Sequence, residues 1–231
     1  HTQYINNVHI QLLANIKKYN MKKKTFLILL VSSLFLQSSF CQKKLEYGIN
    51  AGINYTNLRG NTSLENLNSD FGYLIGITVE YNFNKATSLK TGINYERKNS
   101  STGNVDIADQ FGNITGTTKG KIVFDYLTIP VLLKYKFYDS YFLNGGPFLS
   151  YLLKNEDEIV GFNSIDNTDS MKKFDFGLSF GVGKRIKLSE KNILEIEVRN
   201  NLGLSNISDV TVINNGSIKT NSLNLILGLT F

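Results

Sequence analysis

From Leu45 to Phe231 apolar and polar positions alternate along the chain. A period of two is the signature of a strand with two different faces. Leu45, Tyr47, Ile49, Ala51, Ile53 and Tyr55 share one face, against Glu46, Gly48, Asn50, Gly52 and Asn54 on the other. The next segment sets Phe71, Tyr73, Ile75, Ile77, Val79, Tyr81 and Phe83 against Gly72, Leu74, Gly76, Thr78, Glu80 and Asn82. The pattern recurs over Leu89–Glu96, Leu127–Phe137, Phe174–Gly183, Leu194–Arg199 and Ser222–Phe231. A further segment, Tyr141–Leu153, is less regular, because Phe142 and Phe148 fall on its polar face. Eight strands are predicted, an even number as a bacterial membrane barrel requires.

Alternation alone does not separate a membrane barrel from a soluble one with its apolar face inside. Three features favour the membrane. The predicted connections alternate between long (56–70, 99–123, 154–173, 203–221) and short (84–86, 138–140, 188–192), the asymmetry of outer loops and periplasmic turns. Aromatics end the apolar faces, as where Phe71/Tyr73 and Tyr81/Phe83 bracket Ile75, Ile77 and Val79, matching two interfacial girdles. The polar face is rich in glycine, which weakens a strand exposed to water but makes room in a narrow lumen. The expected fold is all-β, an eight-stranded antiparallel up-and-down transmembrane β-barrel over residues 42–231.

The segment before the strands changes the charge balance. Lys22–Lys24, the apolar run Thr25–Leu36 and the small residues Ser38 and Ser39 have the parts of a secretory signal peptide over 21–41, cut between Cys41 and Gln42. Residues 1–20 read as an upstream extension outside the native chain. Five of the 25 Lys+Arg and none of the 19 Asp+Glu precede residue 42, leaving 20 against 19. A nucleic-acid partner, which needs a concentrated basic stripe, is therefore not expected. The only cysteine, Cys41, and both histidines, His1 and His9, also precede the cut. Ser-His and Cys-His catalysis are then excluded downstream of it, and an enzyme is not expected. No cofactor or metal motif is present.

The stretch Tyr126–Phe137 (YLTIPVLLKYKF) resembles the PorT-like outer-membrane β-barrel domain family of Bacteroidota-type bacteria. Tyr47–Gly52, Gly145-Gly146-Pro147, Asp175–Leu178 and the terminal Phe231 are similar to other strands of that family. The resemblance implies an outer-membrane location and an accessory role in a secretion or surface-assembly apparatus; with short turns periplasmic, both termini are expected in the periplasm. Expected partners are outer-membrane lipid, the barrel-assembly machinery that reads the terminal Phe231, and envelope or secretion proteins.

With the apolar face toward lipid, the lumen receives Glu46, Glu80, Lys90, Lys134, Lys136, Arg185, Glu195 and Glu197. Unpaired charges in so narrow a space are costly, so mutual pairing is expected, as a structural plug rather than an ion path. Asn99–Gly120 reads as a mobile loop, or over Ala108–Ile114 as an extension of its hairpin. The acids Glu156–Glu158 and Asp166–Asp169 lack the spacing of a dedicated calcium loop and read as solvated. Two roles follow: a structural or accessory barrel, or a surface ligand-binding or adhesin barrel acting through its long loops.

Overall fold

A computed structural model describes residues 45–61, 64, 67–138, 140–211 and 216–231. The signal segment, its Cys41–Gln42 cut and the upstream extension lie outside these residues. The strands are β1 (Leu45–Arg59), β2 (Asn68–Asn82), β3 (Thr87–Ala108), β4 (Ile114–Phe137), β5 (Tyr141–Ile159), β6 (Ile165–Asp166), β7 (Phe174–Lys187), β8 (Ile193–Gly203) and β9 (Lys219–Thr230). A 3-10 turn, Thr168–Ser170, follows β6. Each long strand pairs antiparallel with its sequence neighbour, β4 pairs β5, and β9 returns to β1, so eight strands close a ring. β6 adds only two residues to the upper edge of β5.

The registers define the size of the barrel. Starting at Asn50, the ladder runs through Gly76, Asn94, Thr128 and Ser150 to Asp175 on β7. In the other direction it runs through Gly228 and Glu195 to Arg185 on the same strand. The offset between Asp175 and Arg185 is the shear of the barrel, and with eight strands it gives a tilt of roughly 40° and a backbone radius of about 8 Å. That radius leaves room for side chains and little more.

The two faces are sorted inside out relative to a soluble protein. Ile49, Ile77, Leu133, Phe176 and Leu225 are exposed on the outer face, with Ile77 at 60%. Asn50, Glu80, Lys134, Asp175 and Asn224 are buried within, and Lys134 is fully enclosed. This polar-in arrangement is stable only where hydrocarbon surrounds the barrel. Lumenal glycines face the bulky residues that broke the alternation of β5. Phe142 is paired with Gly183 and Phe148 with Gly177, and a Cβ at Gly177 would lie 2.7 Å from the Phe148 ring.

Several expected loops are strand. β3 and β4 stay paired far beyond the segments predicted for them, up to Ala108↔Ile114. The reason is local turn chemistry. Asp109 accepts hydrogen bonds from the backbone N–H of Phe111 (2.8 Å) and Asn113 (2.9 Å), and Gly112 takes a positive φ of 84°. This Asx-type turn closes the hairpin at its tip, so Asn99–Gly120 is mostly ladder rather than a mobile loop.

Candidate functional site

The lumenal charges meet at the short-turn end of the barrel. Lys134 of β4 lies at the centre: its Nζ donates to Glu80 (2.8 Å) and to Glu195, and stands 4.2 Å from the centroid of the Phe142 ring. Lys136 pairs with Glu80 at 2.8 Å, and the Ser88 hydroxyl donates to Glu80 at 2.6 Å. Lys90 donates to Glu195 at 2.7 Å and lies 3.7 Å from Glu197. Arg185 joins Glu46 at the rim to Glu195, 3.2 Å from its Nε. All eight residues expected in the lumen are thereby brought into one connected network.

Arg199 belongs to the same network and was not among those eight. Its guanidinium makes a two-pronged contact with Glu197, at 2.6 and 2.8 Å. The signal for it was present, since Arg199 continues the face of Glu195 and Glu197. Further along β3, Lys98 and Glu96 are both buried 3.4 Å apart, and Lys98 Nζ stands 5.0 Å over the Tyr126 ring. Lys98 went unread because β3 continues beyond its predicted end. Asp175, fully buried, accepts from Ser205 (2.6 Å) and Thr220 (2.7 Å).

Above Lys98 the lumen becomes apolar. Leu58, Phe124, Tyr126, Leu152 and Ile207 form a buried cluster, with Leu64, Leu67, Met171 and Ile218 packed against it. Ile207 comes from the β8–β9 connection and is held by backbone bonds. Its N–H donates to the Ile218 carbonyl (2.8 Å) and its carbonyl accepts from Lys172 (2.8 Å). The loops therefore fold back over the mouth.

On the β3–β4–β5 side the strands rise clear of the aromatic girdle formed by Tyr55, Phe71, Tyr73, Tyr95, Tyr151 and Phe174. Phe111, Ile114, Val160, Phe162 and Ile165 are exposed toward the tip of this outer sheet. Six of its charged residues form three ion pairs: Arg97–Asp125 at 2.8 Å, Lys154–Glu156 at 2.7 Å and Lys121–Glu158 at 3.2 Å. Asp157 accepts from Asn167 at 2.8 Å, and burial pushes its carboxyl up. Among the described residues no group of three or more His, Cys, Asp or Glu is placed to hold a metal ion. Phe231 stands at the seam, where its N–H donates to the Tyr47 carbonyl at 2.9 Å, and its ring is exposed.

A closed ring with an apolar exterior, two aromatic girdles and a polar lumen defines an integral outer-membrane β-barrel. The sequence matches the outer membrane protein β-barrel domain family over residues 35–209, and the chain belongs to that family. Solved structures similar to it include Ail, the attachment invasion locus protein of Yersinia pestis (12% identity, 81% of this chain and 99% of that one, TM-score 0.42). Neisserial surface protein A is similar at 14% identity (80% and 95%, TM-score 0.43). A major outer membrane protein from Thermus thermophilus is similar at 12% identity (81% and 98%, TM-score 0.46). No curated protein matches the chain. The resemblance to the PorT-like family is corrected by these findings, which run to small barrels of the Ail and NspA type. The physical reason is that bilayer thickness and strand pleat impose the same alternation and aromatic ends on any short membrane strand. The stretch Tyr126–Phe137 carries that constraint, and the secretion role it implied is not supported.

Proposed function

We propose that this protein is a non-enzymatic surface barrel that binds a ligand or partner surface through its outer sheet, as an adhesin or receptor does. The observation that supports this most is the one-sided extension of β3, β4 and β5. β3 runs on from Tyr95 to Ala108, about 40 Å of strand at ~3.3 Å per residue. Anchoring in a bilayer needs no such extension. Its tip carries exposed apolar groups, which in water mark interaction sites. Among the described residues, β3 above Ser101 pairs with β4 alone, so its free edge can accept an extended strand. Because the tip's exposed groups are mainly apolar and six of the sheet's charges are spent on each other, recognition is apolar and backbone-directed, with a weak dependence on salt.

On this reading the loop end faces outward and both termini face the periplasm, beside the tight turns at Phe83–Ala86 and Leu188–Asn192. The lumen is a plug made of the barrel's own side chains. Outer-membrane lipid surrounds the belt, and the barrel-assembly machinery reads the exposed Phe231. The test is retention of nanodisc-embedded protein on cultured cell surfaces and extracellular-matrix proteins, against Phe111→Ser/Phe162→Ser. The double variant should bind roughly tenfold more weakly, as loss of apolar anchors does, with little change on raising salt. Equal retention of wild type and double variant, or none above empty nanodiscs, would sink the reading.

A further inference from the structure

The lipid-facing belt is large-residued at nearly every outward position, and two of its small ones are compensated. Gly145 lies under the Phe180 ring, which a Cβ there would meet at 3.2 Å. Thr91 turns its hydroxyl back to donate to the Pro130 carbonyl at 2.8 Å. Ala51 has no such cover. It lies midway between Tyr47 and Tyr55 on β1, in register with Ile75 of β2 and Leu227 of β9. A concavity of about 450 Å³ opens on this part of the sheet, walled by Ile49, Ile75, Ile77, Leu194, Leu227 and Leu229 over a floor at Asn50, Ala51, Gly76 and Gly228.

We infer that this concavity is a binding site for one acyl chain of a phospholipid from the periplasmic leaflet. The site is continuous with the lipid-facing surface, and all six wall side chains are aliphatic, so it selects hydrocarbon over any polar ligand. An unfilled hollow forfeits dispersion contacts on every wall, and a flexible acyl chain can follow its outline. Ile49, Ile77, Leu229 and Leu194 carry the hollow from Ala51 toward the short-turn end of the barrel. That end faces the periplasm in the proposed orientation, so the choice of phospholipid over lipopolysaccharide rests on that orientation, while the acyl site itself does not.

The test uses the full chain in vesicles containing both phosphatidylethanolamine and lipopolysaccharide, followed by native mass spectrometry of the extracted, heat-modifiable barrel. Wild type should retain one phospholipid. Ala51→Leu fills the hollow and should lower that adduct about tenfold, the effect of excluding about two methylenes from apolar contact. Val131→Phe, an enlargement of comparable size on the far side of the belt, should leave it unchanged. Equal adducts in Ala51→Leu and wild type would overturn the site. A lipopolysaccharide adduct that Ala51→Leu removes would overturn the phospholipid assignment and the orientation under it, leaving the adhesive reading to its own test. Ala51→Cys in a Cys41→Ser background should stay monomeric under oxidation; a disulfide-linked pair of barrels would replace the acyl chain by a second copy.

Discussion

At the short-turn end of the lumen the inward side chains are Glu46, Glu80, Lys90, Lys134, Lys136, Arg185, Glu195, Glu197 and Arg199; at the loop end they are Leu58, Phe124, Tyr126 and Leu152. Both sets sit on the same lumenal face of a closed sheet, yet the first is charged throughout and the second is mainly hydrocarbon, bordered by the buried Glu96, Lys98 and Asp175. The difference lies in what each can pack against. Deep in the barrel an inward side chain meets only other strands, and the charged residues toward the short turns pair with one another across the ring. At the mouth the chain can fold back, and Ile207 and Met171 from the loops give apolar side chains an ordinary core to join. The charged region is built from strands and should fail globally; the apolar cap is built from loops and should fail locally.

The largest effect should come from Lys134→Ala. It leaves Glu80 and Glu195 short of a buried counter-charge, which costs roughly 3–5 kcal/mol. Urea unfolding from lipid vesicles should report that loss as a lower midpoint for the whole barrel. Ile207→Asp should separate the two regions. A carboxylate in the mouth cluster expels the β8–β9 connection, removing about 2–3 kcal/mol of local hydrogen-exchange protection around Ile218 while the unfolding midpoint stays near wild type. Should the barrel unfold globally instead, the cap is part of the framework and the contrast fails. Neither wild type nor Ile207→Asp should conduct in a planar bilayer, because the charge network still fills the lumen beneath the cap; steady current from wild type would break the plug.

Two smaller effects belong to the periphery of the barrel, at its rim and at its hairpin tip. Arg185 and Glu46 lie at the rim, where both are partly hydrated. Arg185→Ala should therefore cost only about 1–2 kcal/mol, less than Lys134→Ala, because water replaces much of the lost pairing. A cost equal to that of Lys134→Ala would place the rim inside the dry network. The least effect belongs to the tip of the β3–β4 hairpin. Hydrogen bonds from the Asn113 side chain, then from the backbone of Asn113 and Phe111, hold the Asp109 carboxyl below its ordinary range. A depressed value stabilises the turn fully above the ordinary aspartate range and loses that support as pH falls through the folded value. Protection of the Gly112 amide should thus weaken only as pH falls below the ordinary aspartate range, and in Asp109→Asn it should lose that pH dependence.

How much of this was legible in the sequence follows from the range of each interaction. The eight strands, their two faces and the inward charges could be read directly, because pleat alternation is a property of a few consecutive residues. The glycine-rich polar face announced a narrow interior, and Phe142 and Phe148 announced themselves by breaking the rule. The outer sheet was half legible: the turn at Asp109–Asn113 was written locally, but its reach depended on β3 and β4 holding register above the membrane. Lys98 and the apolar mouth were missed because Leu58, Phe124 and Leu152 make an inner face only once the loops have folded onto it.

The sequence by itself determined that the chain forms a membrane barrel and which face of each spanning segment turns inward, since the bilayer imposes one local pattern on every spanning strand. Only the tertiary structure decided which charges meet. Lys90 reaches Glu195, and Lys134 bridges Glu80 and Glu195, because the closed ring sums eight registers into one shear. No single strand carries that sum. The hollow at Ala51 is of the same kind, since a small residue leaves a gap only when its neighbours on β2 and β9 do not close over it.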